Sequence, residues 1–377
     1  MIFLVDDYIA ELRQLVNVDC GTYTTAGVES ILEQMKTKYQ SMGGWTIKQI
    51  DCGIAGYGLE IRNKPNSPNI DVMLLGHMDT VFPVGTAEKR PMRMDDENIY
   101  GPGVSDMKSG LLNIVYAMRN LGKDTLDKLS ICVCINPDEE VGSPHSVEWL
   151  KATASNKVSA ILVAEAARAD GSLISARKGN ARYRISFHGV ASHAGNDPLS
   201  GRSAITEMAN WILFVNSMTN FKSGTTLNVG TVSGGVGANI VPELSEILLD
   251  VRFWCNESFN AIDTKLREME NSPFTNEVSV KLVRETYKPS MQPNAKTEEL
   301  MSIVGESAAE LGIDVTWKSV GGGSDANHVS IFGVPTLDGF GPIGGKFHSE
   351  DEYLVITSIE QRIRLLIGIL SSLAKKV

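Results

Sequence analysis

The chain has 377 residues, of which 42% are hydrophobic and 21% charged, with a net charge of −10. That is enough for two domains and a sizeable core in an ordinary globular protein. The acidic balance argues against a nucleic-acid surface, no apolar run approaches the length of a membrane span, and a cytoplasmic location is expected. An anionic substrate remains open, because a site can be locally basic.

The five apolar residues Met1–Val5 lack a basic leader and are too short for an export signal. Cys20, Cys52, Cys132, Cys134 and Cys255 are odd in number and scattered, a pattern of reduced thiols. Residues 6–16 and 27–42 read as amphipathic helices, the second stopped by Gly43-Gly44. Apolar runs at 45–50, 57–62, 70–75, 129–135 and 158–164 read as strands, with a helix over Gly110–Leu121 between the third and fourth. Cys132 and Cys134 fall inside one of these runs and read as core residues rather than metal ligands. Strands alternating with helices predict an α/β fold, a mostly parallel sheet with helices on both faces.

The pattern changes after about residue 178. Strands over Ala181–His188, Thr225–Ser233, Ser245–Trp254 and Glu277–Glu285, with helices Ser203–Ser217 and Phe259–Asn271, give the order β-α-β-β-α-β. That is a ferredoxin-like α+β unit, read as an insertion over 179–287 between catalytic segments 1–178 and 288–377. The α/β pattern then resumes with helix 297–311, strand 314–320, a Gly-rich loop, a short helix, strand 334–340 and helix 358–375.

Chemistry gathers at predicted strand ends, where ligands collect in open α/β sheets. His77 leaves the strand at 70–75, with Asp79 two residues on, and His-Asp pairs of this kind fix the tautomer of a ligating imidazole or simply brace a strand end. Asp106 sits in a Gly-rich loop entering a helix, as an inward-turned carboxylate or as an N-cap. Asp138-Glu139-Glu140 follows the strand at 129–135, either as a solvated acidic loop or as a set needing a cation, in which one residue binds metal and its neighbour serves as base. Glu165 follows the strand at 158–164, and His348 lies beyond the one at 334–340. Two histidines and several carboxylates, without cysteine, suit zinc, cobalt or manganese and point to a metal-dependent hydrolase. Gly101-x-Gly103 and Gly321–Gly323 do not complete a dinucleotide-binding fingerprint.

Together, G-H-M-D-T-V from Gly76, Y-G-P-G-V-S-D-M-K-S-G from Tyr100, N-P-D-E-E-V-G-S from Asn136, A-S-H-A-G from Ala191 and G-G-G-S-D-A from Gly321 resemble the zinc aminoacylase and carboxypeptidase family. This family includes acetylornithine deacetylase, succinyl-diaminopimelate desuccinylase and the bacterial glutamate carboxypeptidases, and motif for motif the chain most resembles the folate-cleaving glutamate carboxypeptidase branch. The resemblance runs from about residue 8 to 375. It implies two Zn2+ per subunit, replaceable by Co2+ or Mn2+. His77, Asp106 and Glu165 would hold one ion, and Asp106, Glu140 and His348 the other, with Asp106 bridging. Glu139 would be the general base, Asp79 would orient His77, and the Asp106–Met107 peptide would be cis. The inserted unit would act as lid and homodimer contact, its His193 reaching the partner's site to stabilise an oxyanion. Asn239, Arg252, Lys288 and Gly323 would bind substrate. Taken without the resemblance, His193 reads as a turn histidine and Arg252 as a strand arginine in an ion pair, while His145, His188 and His328 read as structural. Lys288-Pro289 stands where the glutamate carboxypeptidases carry Arg-Pro, exchanging a two-pronged fork for a point charge. The implied substrate is an N-acyl amino acid or short peptide, cleaved to release a C-terminal amino acid. The deacylases of acetylornithine or succinyl-diaminopimelate are the alternative.

Overall fold

Helices and strands in this computed structural model follow the apolar patterning closely, and the structure describes residues 3–155 and 157–377. Met1 and Ile2, part of the apolar opening, lie outside the described residues. The chain divides into two compact units: one of Met1–Ala176, Met291–Val320 and Ser324–Val377, the other of Arg177–Ser290 with Gly321–Gly323.

In the first unit, helices α1 (Val5–Val16) and α2 (Thr25–Met42) precede strands β1 (Thr46–Asp51), β2 (Tyr57–Arg62) and β3 (Ile70–His77). Helix α3 (Ser109–Asn120), β4 (Ile131–Asn136) and β5 (Val158–Val163) follow. The sheet order is β1-β2-β4-β3-β5, closed by Thr336–Leu337. The β4-β3, β3-β5 and β5-to-336 pairings are parallel, and the β1-β2 edge joins antiparallel. Side chains on a strand alternate between faces. Accordingly Val72, Leu74, Val133 and Ile135 enter one apolar cluster, while Met73, Leu75, Cys132 and Cys134 enter another on the opposite face. Both faces are covered, so these strands read as continuous apolar runs rather than alternating ones. Helix α3 and the helices Ala295–Glu310 and Ile356–Ala374 contribute to the first cluster.

Two expected strands differ. The strand expected at 334–340 shrinks to Thr336–Leu337, because Pro335 has no N–H to donate and Gly339, at φ +83°, turns the chain. The strand expected at 314–320 forms only over Trp317–Val320, and it pairs with Leu173–Arg177 outside the central sheet.

The second unit is a four-stranded antiparallel sheet carrying helices α4 (Ala204–Ser217) and α5 (Asn256–Glu270). Its strands are β6 (Gly179–His188), β7 (Thr226–Gly234), β8 (Leu244–Phe253) and β9 (Ser279–Lys288), in the spatial order β7-β8-β6-β9. This is the ferredoxin-like arrangement. Ser203 caps α4 by accepting from the Thr206 N–H at 3.1 Å, and Trp211, fully buried, packs edge-on against Phe187. Strand β7 lies at one edge, and all its residues from Gly230 to Gly234 are exposed.

Candidate metal centre

Parallel strands β3, β4 and β5 end together, and their carboxyl ends deliver the chemistry. His77 is the last residue of β3 and pairs in register with Asn136 of β4, so the Asp138–Glu140 segment emerges beside it. Glu165 follows β5 by two residues. Asp106 arrives from the turn Val104–Lys108, kinked at Asp106 (φ −114°, ψ 91°) and Met107 (φ −131°, ψ 40°), which runs directly into α3. The Asp106–Met107 peptide is cis. The Asp106 side chain does not cap α3 but turns toward the histidines.

Six side chains converge. His77 Nε2 lies 3.2 Å from Asp106 Oδ1 and 3.6 Å from Glu165 Oε1. His348 Nε2 lies 3.2 Å from Asp106 Oδ2 and 3.2 Å from Glu140 Oε2. The ligand-type atoms of His77, Asp106 and Glu140 all fall within 4.8 Å of one another, as do those of His77, Glu139 and Glu165. Both groups share His77, and the contacts of His348, which comes from a half-exposed loop, extend the cluster on the other side of Asp106.

Asp79 organises the rear of the site. It is fully buried, with Oδ1 3.2 Å from His77 Nδ1. Its Oδ1 accepts from the Glu139 N–H at 3.1 Å, and its Oδ2 from the Glu140 N–H at 3.2 Å and the Thr22 hydroxyl at 2.7 Å. One carboxylate thus orients the imidazole and the backbone of the acidic pair. Behind it, Asp138 accepts from the Ser146 hydroxyl at 2.5 Å and the His145 N–H at 2.7 Å. Asp325 accepts from Asn136 Nδ2 at 2.8 Å and from the Ser143 hydroxyl.

The electrostatics suit a cation. Burial pushes Glu140 up to about 7 and Glu165 well above the carboxylate range, with the neighbouring Asp106 charge adding to both. Burial alone would depress His77, but hydrogen bonds to Asp106 and Asp79 outweigh it and raise the imidazole well above its ordinary value. Hydrogen bonds to Asp106 and Glu140 push His348 up to about 10. A cation among these groups would relieve the same crowding of negative charge. Glu140 Oε1 is buried with no hydrogen-bond partner among the described residues, an orphan oxygen facing its own cluster. Two imidazoles with carboxylates crowded around them suit a divalent metal ion.

Residues that sequence reasoning passed over also shape the site. Thr22 holds Asp79, and Glu352, the residue just before strand Tyr353–Val355, accepts three backbone N–H groups of the Asp106 loop. A glutamate beside an apolar triplet is the only local hint of burial.

The remaining predicted residues lie in the second unit. His193 and Asn239 are neighbours, His193 sitting on a two-residue strand paired with Ile240–Val241, and the Ala194 N–H donating to the Asn239 carbonyl at 2.9 Å. His193 Nδ1 accepts from the N–H groups of Gly195 at 3.1 Å and Asn196 at 2.9 Å, which leaves its proton on Nε2. Arg252 and Lys288 both pair in register with Asn180, so the three share one row and one face. Arg252 also forms an ion pair with Asp250, at 2.8 and 3.0 Å. Gly323 belongs to this unit as well. The row with Arg252 lies at the start of β6, whereas His193 lies beyond its end, a strand of ten residues or about 30 Å away. The second unit therefore does not bring His193 and Arg252 together.

Several known proteins resemble this chain. The chain is 26% identical to Carboxypeptidase G2 of Pseudomonas sp. (strain RS-16) over 361 residues, covering 94% of this chain and 86% of that one. It is 28% identical to succinyl-diaminopimelate desuccinylase of Thioalkalivibrio sulfidiphilus over 321 residues, covering 79% and 82%. Aminopeptidase PepT of Bacillus cereus shares the fold with a TM-score of 0.80 at 23% identity, covering 98% and 99% of the two chains. No helix among the described residues is long and apolar enough to cross a membrane. The model of Peptidase family M20/M25/M40 matches residues 73–372, which span β3 to the last helix and include every side chain of the cluster, so the chain belongs to that family and is a metal-dependent hydrolase of peptide or amide bonds.

Proposed function

We propose that the chain is a two-zinc hydrolase that releases a C-terminal amino acid from an N-acyl amino acid or short peptide. The observation carrying this reading is Asp106, whose two oxygens each face a different histidine at 3.2 Å. A bridging carboxylate between two ions has this disposition. His77, Asp106 and Glu165 would hold one ion, and Asp106, Glu140 and His348 the other. Bound there, zinc would supply Lewis acidity to the scissile carbonyl and to an attacking water.

The chain's own groups do the rest. A carboxylate oxygen of Glu139 takes the proton from the attacking water and hands it to the leaving nitrogen. Asp79 fixes the His77 ring and, through the Glu139 N–H, the base itself. Arg252 and Lys288, on one face of one row, suit the carboxylate of the departing amino acid. His193, with Nε2–H outward, suits an oxyanion, and Asn239 beside it a neighbouring polar group. Since His193 and Arg252 stand at opposite ends of β6, two copies of the chain would complete each other's sites. The exposed edge strand β7, with Val232 and the nearby α4 residue Leu213 at 58% and 70% exposure, is the surface such a homodimer would cover. We place the enzyme in the cytoplasm on its acidic, free-thiol composition.

The test is metal content measured together with hydrolysis of a panel: Xaa-Glu dipeptides, N-benzoylglutamate, other N-acyl amino acids, acetylornithine and succinyl-diaminopimelate. Two zinc ions per chain and chelator-sensitive release of a C-terminal amino acid is the expected result. Cleavage of acetylornithine or succinyl-diaminopimelate alone would reassign the substrate. No metal and no turnover after zinc and cobalt reconstitution would overturn the reading.

A further inference from the structure

The loop that carries Asp106 is gripped from two sides by buried charges. Lys108, 1% exposed, donates from Nζ to the carbonyls of Val18 at 2.9 Å, Pro102 at 3.2 Å and Val16 at 3.4 Å. Glu352, also 1% exposed, takes the opposite role. Its Oε2 accepts from the Gly103 N–H at 3.0 Å, and its Oε1 from the N–H groups of Ser105 at 2.8 Å and Asp106 at 3.0 Å. The next residue repeats the attachment, since the Ser105 hydroxyl donates to the Tyr353 carbonyl. Gly103 has φ +70°, and a Cβ there would stand 2.5 Å from Thr80, so only glycine suits this point of the loop.

Glu352 also belongs to the segment that presents the second histidine. Its N–H donates to the Ser349 carbonyl at 3.4 Å, one residue beyond His348. A single residue therefore ties together the stretch bearing Asp106, through its side chain, and the stretch bearing His348, through its backbone. Three backbone donors converging on one carboxylate leave the loop little freedom to rotate. The Asp106 oxygens, aimed at His77 and His348, inherit that fixed frame.

We propose that Glu352 is the positioning residue for the shared carboxylate: by clamping the Gly103, Ser105 and Asp106 amides it sets where both oxygens of Asp106 point. It acts through the backbone. The inference rests on the reading of Asp106 as a ligand common to two ions, so its effect is specific: disturbing Glu352 disturbs both ions at once. An ordinary buried anchor would lower stability and leave metal binding alone. Glu207 is such an anchor, a fully buried carboxylate of the second unit that accepts from the Thr275 N–H at 2.6 Å, Trp211 Nε1 at 2.9 Å and the Phe274 N–H at 3.0 Å.

The experiment is a calorimetric zinc titration of the metal-stripped full chain, comparing wild type with Glu352→Gln and Glu207→Gln. Glutamine keeps the volume of Glu352 but removes its charge and turns one acceptor oxygen into a donor. Wild type should bind two zinc ions. Glu352→Gln should weaken both steps roughly 10–100-fold, the range for residues that orient a ligand without touching the metal. Glu207→Gln should melt at lower temperature with the wild-type isotherm. A Glu352→Gln isotherm equal to wild type, or a loss confined to one step, overturns the proposal, as does an equal weakening in Glu207→Gln. A wild-type chain without two binding steps removes the shared-ligand reading itself, and this inference with it. Should Glu352→Gln not fold, Glu352→Asp carries the test. The shortened carboxylate cannot span all three amides, so both steps should again weaken, and wild-type affinities in that variant would overturn the proposal.

Discussion

His77 and His348 place their Nε2 atoms at the same distance, 3.2 Å, from opposite oxygens of Asp106. Neither histidine can be removed without leaving one of those oxygens short of its partner. Burial and the surrounding acids make that costly, since the cluster already holds more carboxylates than imidazoles. On the proposed two-ion reading, binding on the two sides of Asp106 would be coupled by this geometry.

Glu139→Gln should lower kcat by about 10²–10⁴ while leaving zinc content at the wild-type level. The amide keeps the shape of the side chain and the Asp79 bond to the residue 139 N–H, and loses only the basic oxygen. Turnover together with metal analysis by atomic absorption decides it. Loss of zinc along with activity would make Glu139 a ligand.

Lys288→Met should raise KM for substrates with a free C-terminal carboxylate roughly 10–100-fold, with a smaller change in kcat. That corresponds to one charged hydrogen bond, about 1.5–3 kcal/mol, made alike in ground and transition states. Steady-state kinetics on a free acid and on its C-terminal amide separates this from general damage. An equal change for both substrates would remove Lys288 from carboxylate recognition.

Mixing two inactive variants tests the trans role of His193. In a heterodimer of His193→Ala with Glu139→Gln, one site keeps its base and receives an intact histidine from the other chain. Random exchange at equal amounts should restore about a quarter of wild-type activity, since half the dimers are mixed and each has one working site. Activity that stays at the level of the parents after exchange would place His193 in its own chain's site.

Glu11 ties three helices, meeting Arg119 of α3 at 2.6 Å and Lys38 of α2. Burial pushes its pKa up, but the Arg119 and Lys38 hydrogen bonds outweigh this and hold it below the ordinary value of 4.5. The folded state therefore releases this proton more readily than the unfolded one. The stabilisation is fully present above about pH 4.5 and is lost as pH falls through the lower folded value. Partial exposure limits it to at most about 1 kcal/mol. The gap in urea midpoint between wild type and Glu11→Gln should be open at pH 7 and close below pH 4.5. A gap that widens in acid would contradict the assignment.

Much of this architecture is legible in sequence because its ligands follow uninterrupted apolar runs. The sequence pattern places His77, Glu139, Glu140 and Glu165 at strand ends, and the buried Cys132–Cys134 pair in the core. Local pattern carries less where contact is remote. Glu352 finds its three amides about 250 positions away, within a Gly-rich turn whose conformation no periodicity encodes. The strand near 336 is short because Pro335 and Gly339 bracket it, although the apolar run suggested more. At Arg252, an ion pair to Asp250 and a place beside Lys288 coexist, so the plain and the functional readings of that arginine are compatible.

The length of β6 has a kinetic corollary. With His193 about 30 Å from Arg252 along ten residues, a solitary copy cannot bring both to the same small substrate. On the proposed reading, specific activity is then a property of concentration. Diluted below the dissociation constant of its dimer, the enzyme would retain its fold and its metals yet fall silent, and its progress curves would show a lag as pairs re-form.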